Sequence, residues 1–215
     1  SGFVYGLSMG DQYIKTGFHK TVLVIGSEVL STIVNWNDRS TCILFGDGAG
    51  AAIVEATSPQ DESRILSTHV ESDGEFTNLL YVEAGGSRLP VTESHLLENT
   101  NKIVMKGKEI YKEATRTLAQ YAKVAIDAHD LPIDQIDWFI PHQANARIIE
   151  AVAKRLKFPL EKVLINIDRY ANTSAGTVPI MLDEAVRDGR IKKGQIVLMD
   201  VFGAGLTYGS ALLRW

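Results

Sequence analysis

From residue 136 to the C-terminus, short apolar runs rich in β-branched residues alternate with runs whose apolar residues recur every three to four positions. IDWFIP (136–141), KVLINID (162–168) and QIVLMDV (195–201) read as strands, and HQANARIIEAVAKRL (142–156) and SAGTVPIMLDEAVRDG (174–189) as amphipathic helices, the second with Gly189 as its stop. Strand, helix, strand, helix, strand is the order of an α/β protein whose helices cover a mostly parallel sheet. The closing segment, QIVLMDVFGAGLTYGSALLRW, reads as two strands around a Gly-rich turn.

The first half is built from similar pieces. SGFVYGLSMGDQYIKTG (1–17) places Phe3, Leu7, Gly10 and Ile14 on one helical face, with Gly17 as a stop. TVLVIGSEVL (21–30) predicts a strand buried on both faces, and TCILFGDGAGAAIVEA (41–56) two strands around a Gly-rich turn. Between Ser58 and Ser94 the chain turns polar and its periodicity fades, as in a linker or insertion. GKEIYKEATRTLAQYAKVAIDAHD (107–130) then puts Ile110, Ala114, Thr117, Leu118, Tyr121 and Ala125 along one face of a long helix. Phe45-Gly46-Asp47-Gly48 echoes Phe202-Gly203-Ala204-Gly205, each followed by a small-residue strand, which suggests two related halves. The expected division is 1–57 for the end of one half, 58–95 for a variable linker and 96–215 for the other. The opening helix has no strand leading into it, which leaves open what stands before Ser1.

With 215 residues and a net charge of −4, the chain lacks the basic stripe of a nucleic-acid binder, and no apolar run nears the roughly 20 residues that span a bilayer. A cytoplasmic protein without membrane or nucleic-acid partners is expected. Cys42 is the only cysteine, which excludes an intrachain disulfide and any CxxC metal or redox site; within TCILF it reads as inert strand packing. GDGAGA (46–51) fits G-x-G-x-x-G/A, but that fingerprint must open a helix, and AAIVEA is short and β-like, so the match is read as accidental. There is no GxSxG elbow.

Ligands of open α/β sheets gather beyond the carboxyl ends of strands. His142 sits at the exit of IDWFIP, Asn172 follows KVLINID, and FGAG follows QIVLMDV. Each has a plain alternative, since polar residues before helices cap them and Gly-rich turns join hairpins. Together they form a more specific set: an imidazole N–H, a carboxamide N–H and an unobstructed backbone N–H can all donate to one developing oxyanion. Such a set suits chemistry through an enolate and lacks a nucleophile.

PHQANARI, NTSAGTVP, FGDGAGAAIV and DVFGAGLTYGSALLRW, in this order, resemble the thiolase-fold condensing enzymes, most closely the β-ketoacyl-acyl-carrier-protein synthase III family. The resemblance implies an α/β thiolase-like fold of duplicated mixed-sheet halves with layered helices, whose N-terminal third is expected to lie outside this chain. It also implies a decarboxylative Claisen condensation of an acyl-CoA, typically acetyl-CoA, with malonyl-acyl carrier protein, initiating fatty acid biosynthesis. No cofactor or metal is implied beyond the coenzyme A thioester as substrate, and a homodimer is expected.

Residue by residue, His142 and Asn172 match the catalytic His and Asn, and Gly203, Ala204 and Gly205 match the oxyanion turn. Arg39, Gly107 and Asn145 match coenzyme A positions. Gln143, Ala144, Asn145, Ala146 and Arg147 match the carrier-protein segment, with Lys154 on the same helical face as Arg147. The family nucleophile stands in an Ala-Cys-(Ala/Ser)-Gly-Phe context at a helix N-terminus, where backbone N–H groups favour the thiolate. Because this chain opens SGF, that Cys is expected immediately before Ser1. Ala171 stands where the family usually has Gly, and Ala204 in the middle of a turn that is often Gly-Gly-Gly. Three other readings are a homologue of secondary metabolism using another acyl donor or acceptor, a non-catalytic thiolase-fold subunit, and a nucleotide-dependent oxidoreductase resting on GDGAGA alone.

Overall fold

The computed structural model describes residues 1–58 and 60–215. Fifteen helices and strands carry the fold, apart from short 3-10 turns: α1 Gly2–Lys15, β1 Thr21–Val29, α2 Arg39–Cys42, β2 Asp47–Glu55, β3 Arg64–Ser72, β4 Leu80–Val82, α3 Glu93–Leu97, β5 Ile103–Met105, α4 Gly107–Asp127, β6 Trp138–Pro141, α5 Ala146–Leu156, α6 Ile167–Tyr170, α7 Thr177–Arg187, β7 Ile196–Gly203 and β8 Thr207–Arg214. β1 and β2 form an antiparallel pair, β3-β8-β7-β6 a four-stranded sheet, and β4 and β5 a small ribbon.

α1 and α7 lie between the two larger sheets. Their apolar faces, Phe3, Val4 and Leu7 on α1 and Val178, Met181, Leu182 and Ala185 on α7, share one core with Val24 of β1 and Val197, Met199 and Val201 of β7. The opposite face of the four-stranded sheet presents Leu198, Phe202 and Leu212 to α4 and α5. The long-helix expectation holds there: Ile110, Ala114, Thr117, Leu118, Tyr121 and Ala125 are all buried. The two halves repeat a unit, with α1 feeding β1 and its antiparallel partner β2, and α7 feeding β7 and its antiparallel partner β8.

Several expectations are corrected. The four-stranded sheet is mixed, since only β6 and β7 run parallel. KVLINID is no strand: Val163 makes a single parallel bridge to Phe139, and the segment then turns into the one-turn α6. The helix expected to begin at His142 begins at Ala146, capped by the Asn145 side chain, which accepts from the Arg147 N–H. TCILF holds no strand either; Cys42 ends α2 and is half-buried against the Leu30, Val34 and Ile103 cluster. The polar stretch 58–95 contributes β3, whose residues pair with β8 in the main sheet.

The Gly-rich run from Asp47 is not a turn but the strand β2 itself. A methyl at Gly50 would lie 2.8 Å from Pro179 Cβ and 2.9 Å from the Ile180 nitrogen. The glycine is there because the N-terminal turn of α7 rests directly on the strand. β1, in turn, is buried on one face only: Val24 is inside, while Leu23 and Ile25 on the other face are 60% and 59% exposed.

Candidate active site

The loops at the ends of β6, β7 and the segment before α7 meet at a cavity of about 460 Å3. Its walls are largely apolar, with Ile33, Leu80, Met105, Ile110, Ile148 and Phe202 among them; His142, Asn145, Asn172 and Ser174 supply polar groups. Apolar walls with a few convergent polar groups are the ordinary form of a small-molecule site.

His142 leaves β6 directly after Pro141, and its backbone N–H donates to the Asp200 carbonyl of β7 at 2.7 Å. The imidazole is 5% exposed, and Nδ1 lies 2.8 Å from Thr177 Oγ1 on the first residue of α7. Burial holds its pKa down at about 3, so the ring is neutral at physiological pH.

Asn172 is held by a short parallel bridge to Phe45, with its N–H donating to the Leu44 carbonyl at 2.8 Å and its carbonyl accepting the Gly46 N–H at 3.0 Å. Its side-chain Oδ1 accepts the Ser174 N–H at 2.9 Å. That bond identifies the oxygen, so Nδ2 is the atom left to donate. Ala171, just before it, sits at φ 58° and ψ −164°, a region essentially reserved for glycine, and the β-carbon there costs on the order of 1–3 kcal/mol.

The N-terminus of α1 completes the arrangement. Ser1 Oγ donates to the Thr207 carbonyl and accepts from Thr207 Oγ1, both at 3.0 Å, which docks the helix start on the β7–β8 turn. A methyl at Gly203 would stand 3.2 Å from Thr207 Oγ1 and 3.3 Å from Ser1 Oγ, a tight fit that glycine relieves. A glycine turn, an imidazole and a carboxamide therefore border one cavity, with the N-terminus of α1 docked on the glycine turn, an arrangement able to hold two separate oxyanions.

Of the residues singled out in the sequence, His142, Asn172, Gly203, Ala204, Gly107, Ala144 and Asn145 line the cavity. Gly205 and Arg39 do not; Arg39 is exposed on α2, while the next residue, Ser40, lines the wall. Ala146 and Arg147 are exposed on α5, as is Lys154. Gln143 is overturned as a carrier-protein contact. It is fully buried, its Nε2 donates to the carbonyls of Pro141 and Leu164, and its Oε1 accepts the Asn166 N–H. It is a brace between loops, buried away from the surface. Thr177 went unnoticed in the sequence because a threonine opening a helix reads as ordinary.

The C-terminal model for 3-oxoacyl-[acyl-carrier-protein (ACP)] synthase III matches residues 126–215, and the companion model for 3-oxoacyl-[acyl-carrier-protein (ACP)] synthase III matches residues 1–74. The β-ketoacyl-[acyl-carrier-protein] synthase III of Thioalkalivibrio sulfidiphilus is 48% identical over 215 residues, covering 100% of this chain and 65% of that protein. This chain thus spans about two-thirds of the length of such relatives. The crystal structure of 3-oxoacyl-[acyl-carrier-protein] synthase III from Aquifex aeolicus superposes with a TM-score of 0.89 at 43% identity, covering all of this chain and 64% of the other. The priming β-ketosynthase of the R1128 polyketide biosynthetic pathway superposes at 0.86 with 32% identity, covering 99% and 63%.

Proposed function

Because the chain belongs to the 3-oxoacyl-[acyl-carrier-protein] synthase III family, we propose that the protein carrying it condenses an acyl-CoA, acetyl-CoA foremost, with malonyl-acyl carrier protein. The products are a 3-oxoacyl-carrier protein, carbon dioxide and free coenzyme A, and the step would begin fatty acid synthesis. The observation that carries this reading is the convergence of His142 and the free Asn172 Nδ2 on one cavity beside the N-terminus of α1.

In the proposed first half-reaction, a thiolate on the residue bonded to the Ser1 nitrogen attacks the acyl thioester. The carbonyl oxygen becomes an oxyanion beside the backbone N–H groups at the α1 start and the Gly203–Gly205 turn. The carbon–sulfur bond to coenzyme A then breaks, and the leaving thiolate takes up the proton the nucleophile has lost. In the second, malonyl thioester binds with its carbonyl oxygen between His142 Nε2 and Asn172 Nδ2. The bond to the carboxylate breaks, its electron pair forms the enolate, and carbon dioxide departs. The enolate carbon attacks the acyl carbonyl and the nucleophile leaves as thiolate. A neutral His142 suits this role, since it donates one N–H without first having to lose a proton.

Gly107 and Asn145 on the cavity wall would face the pantetheine arm, with Arg39 outside the rim near the nucleotide end. Exposed Arg147 and Lys154 on α5 would meet an acidic carrier protein. The proposal includes a homodimer, a cytoplasmic location and no cofactor other than the thioester substrate. Among the described residues no helix is long and apolar enough to cross a membrane.

The test is a panel of acyl-CoA donors with malonyl-carrier protein, run on the full-length protein together with His142→Ala and Asn172→Ala. Each variant is expected to lose about 100- to 1000-fold in condensation while still becoming acylated, the cost of one oxyanion donor. Absence of acyl transfer from any donor would leave only a non-catalytic subunit. The likeness to a priming β-ketosynthase of a polyketide pathway supports a second reading with another donor, and exclusive use of a longer or aromatic acyl-CoA would select it. Intact mass of peptides spanning Ser1 identifies the nucleophile.

A further inference from the structure

Thr177 touches no part of the cavity, is 3% exposed, and stands behind His142 with its hydroxyl 2.8 Å from Nδ1. The same hydroxyl is 3.0 Å from the Ser174 carbonyl oxygen. A threonine hydroxyl has one proton, so it can donate to only one of these two acceptors. The choice decides which ring nitrogen of a neutral imidazole is protonated. If the proton points to Ser174, Thr177 Oγ1 can only accept, Nδ1 must carry hydrogen, and Nε2 meets the cavity as a bare lone pair. If it points to Nδ1, the hydrogen of the ring is on Nε2.

The Ser174 carbonyl does not need the hydroxyl, because it already accepts the backbone N–H of Thr177. Nδ1 is partnered by Thr177 Oγ1 in either arrangement, so it is the requirement that Nε2 donate to an enolate oxygen that selects the one in which the hydroxyl donates to Nδ1. We propose that Thr177 is a positioning residue for the decarboxylation step: its hydroxyl donates to His142 Nδ1 and thereby holds the ring in the Nε2–H tautomer, the one that can donate to an enolate oxygen. This rests on the condensing reading of the site. The device is local to the start of α7, where Ser174, at φ 49°, aims its carbonyl at the Thr177 N–H and hydroxyl while the Asn172 Oδ1 receives its own N–H. One turn of chain therefore orders both enolate donors.

The test uses the full-length protein with 15N-labelled histidine. The neutral His142 signal, assigned by its loss in His142→Gln, is expected to show a pyridine-like Nδ1 and a pyrrole-like Nε2; the reverse pattern overturns the proposal. Thr177→Val keeps the shape and removes the hydroxyl. It is expected to slow decarboxylation of malonyl thioester about ten- to a hundred-fold, the loss of one buried hydrogen bond to a ring that must donate, while self-acylation from acyl-CoA stays within about two-fold. Thr177→Ser is expected to restore the rate. An equal loss in both half-reactions, or a Ser variant as slow as the Val variant, shows a structural role only and overturns the proposal. If the Val variant does not fold, the tautomer of the wild type and the Ser rate still decide. A wild type that decarboxylates nothing sinks the condensing reading, whereas the tautomer reports on Thr177 without any substrate.

Discussion

Asp200 and His142 are joined at the backbone across β7 and the exit of β6, and burial drives both side chains toward their neutral forms with opposite consequences. Asp200 is fully buried, and neither carboxylate oxygen has a hydrogen-bond partner. Burial raises its pKa well above the usual 3.8. Above pH 3.8 the unfolded chain has given up this proton and the native chain has not. Stability therefore falls with rising pH, by about 1.4 kcal/mol per unit, until the native carboxyl titrates. His142 works the other way. Between pH 3 and 6.5 the unfolded imidazole binds a proton and the native one does not, so stability rises with pH and is complete above 6.5. From about pH 4 to 6.5 the two slopes offset each other, and above 6.5 Asp200 alone remains. Asp200→Asn is expected to gain stability over the wild type as pH rises from 5 to 8, measured by chemical denaturation. Parallel curves for the two proteins across that range would mean that Asp200 is ionised in the folded state.

β2 and α7 act as one element of the site. Gly48 and Gly50 face inward on β2, where a methyl on either would come within 2.9 Å of α7 or the residues leading into it, and α7 starts at the threonine behind His142. Gly50→Ala should push α7 off the strand and cost about 1–3 kcal/mol, the usual penalty of overpacking. Gly74→Ala, where nothing lies within 4 Å, should cost almost nothing, and thermal melting distinguishes the two. A Gly50→Ala protein as stable as wild type would mean that the close approach is not needed. This is also where the sequence was least legible. Glycines spaced through GDGAG carry the same letters whether they make a turn, a phosphate loop or a strand pressed on a helix; only the helix that covers them tells these apart. KVLINID misled for a related reason, since its buried apolar residues belong to a bridge and a turn of helix that pack inward without pairing. α4 and the β7–β8 hairpin were legible because their periodicity continues over many residues. His142, Asn172 and the FGAG turn were legible because strand exits are few. Thr177 and Gln143 were not: their roles depend on partners 35 and 21–23 residues distant in sequence.

At the scale of the molecule the repeated unit, a helix feeding two antiparallel strands, is unevenly covered. The four-stranded sheet has α1 and α7 on one face and α4 and α5 on the other. The β1–β2 pair has α1 and α7 on one face, and its other face presents Leu23, Ile25, Val29 and Ile53, each between 58% and 65% exposed. Leu23 and Ile53 are direct cross-strand partners, with Ile25 two residues along, so the patch is contiguous rather than scattered. Contiguous apolar surface of this kind is a site of association in a protein left without a cover. The 215-residue chain studied by itself is therefore expected to self-associate, with light scattering and apolar-dye fluorescence that rise with concentration. Leu23→Lys combined with Ile53→Glu replaces the central pair by opposite charges facing each other across the strands, which keeps the pairing while removing the apolar surface. That double variant should stay dispersed at concentrations where the parent associates, with circular dichroism unchanged. A parent chain that remains monomeric would overturn the expectation, and a variant that associates equally would move the cause of association elsewhere, to the aromatic group of Tyr13, Phe18 and His19 at the end of α1.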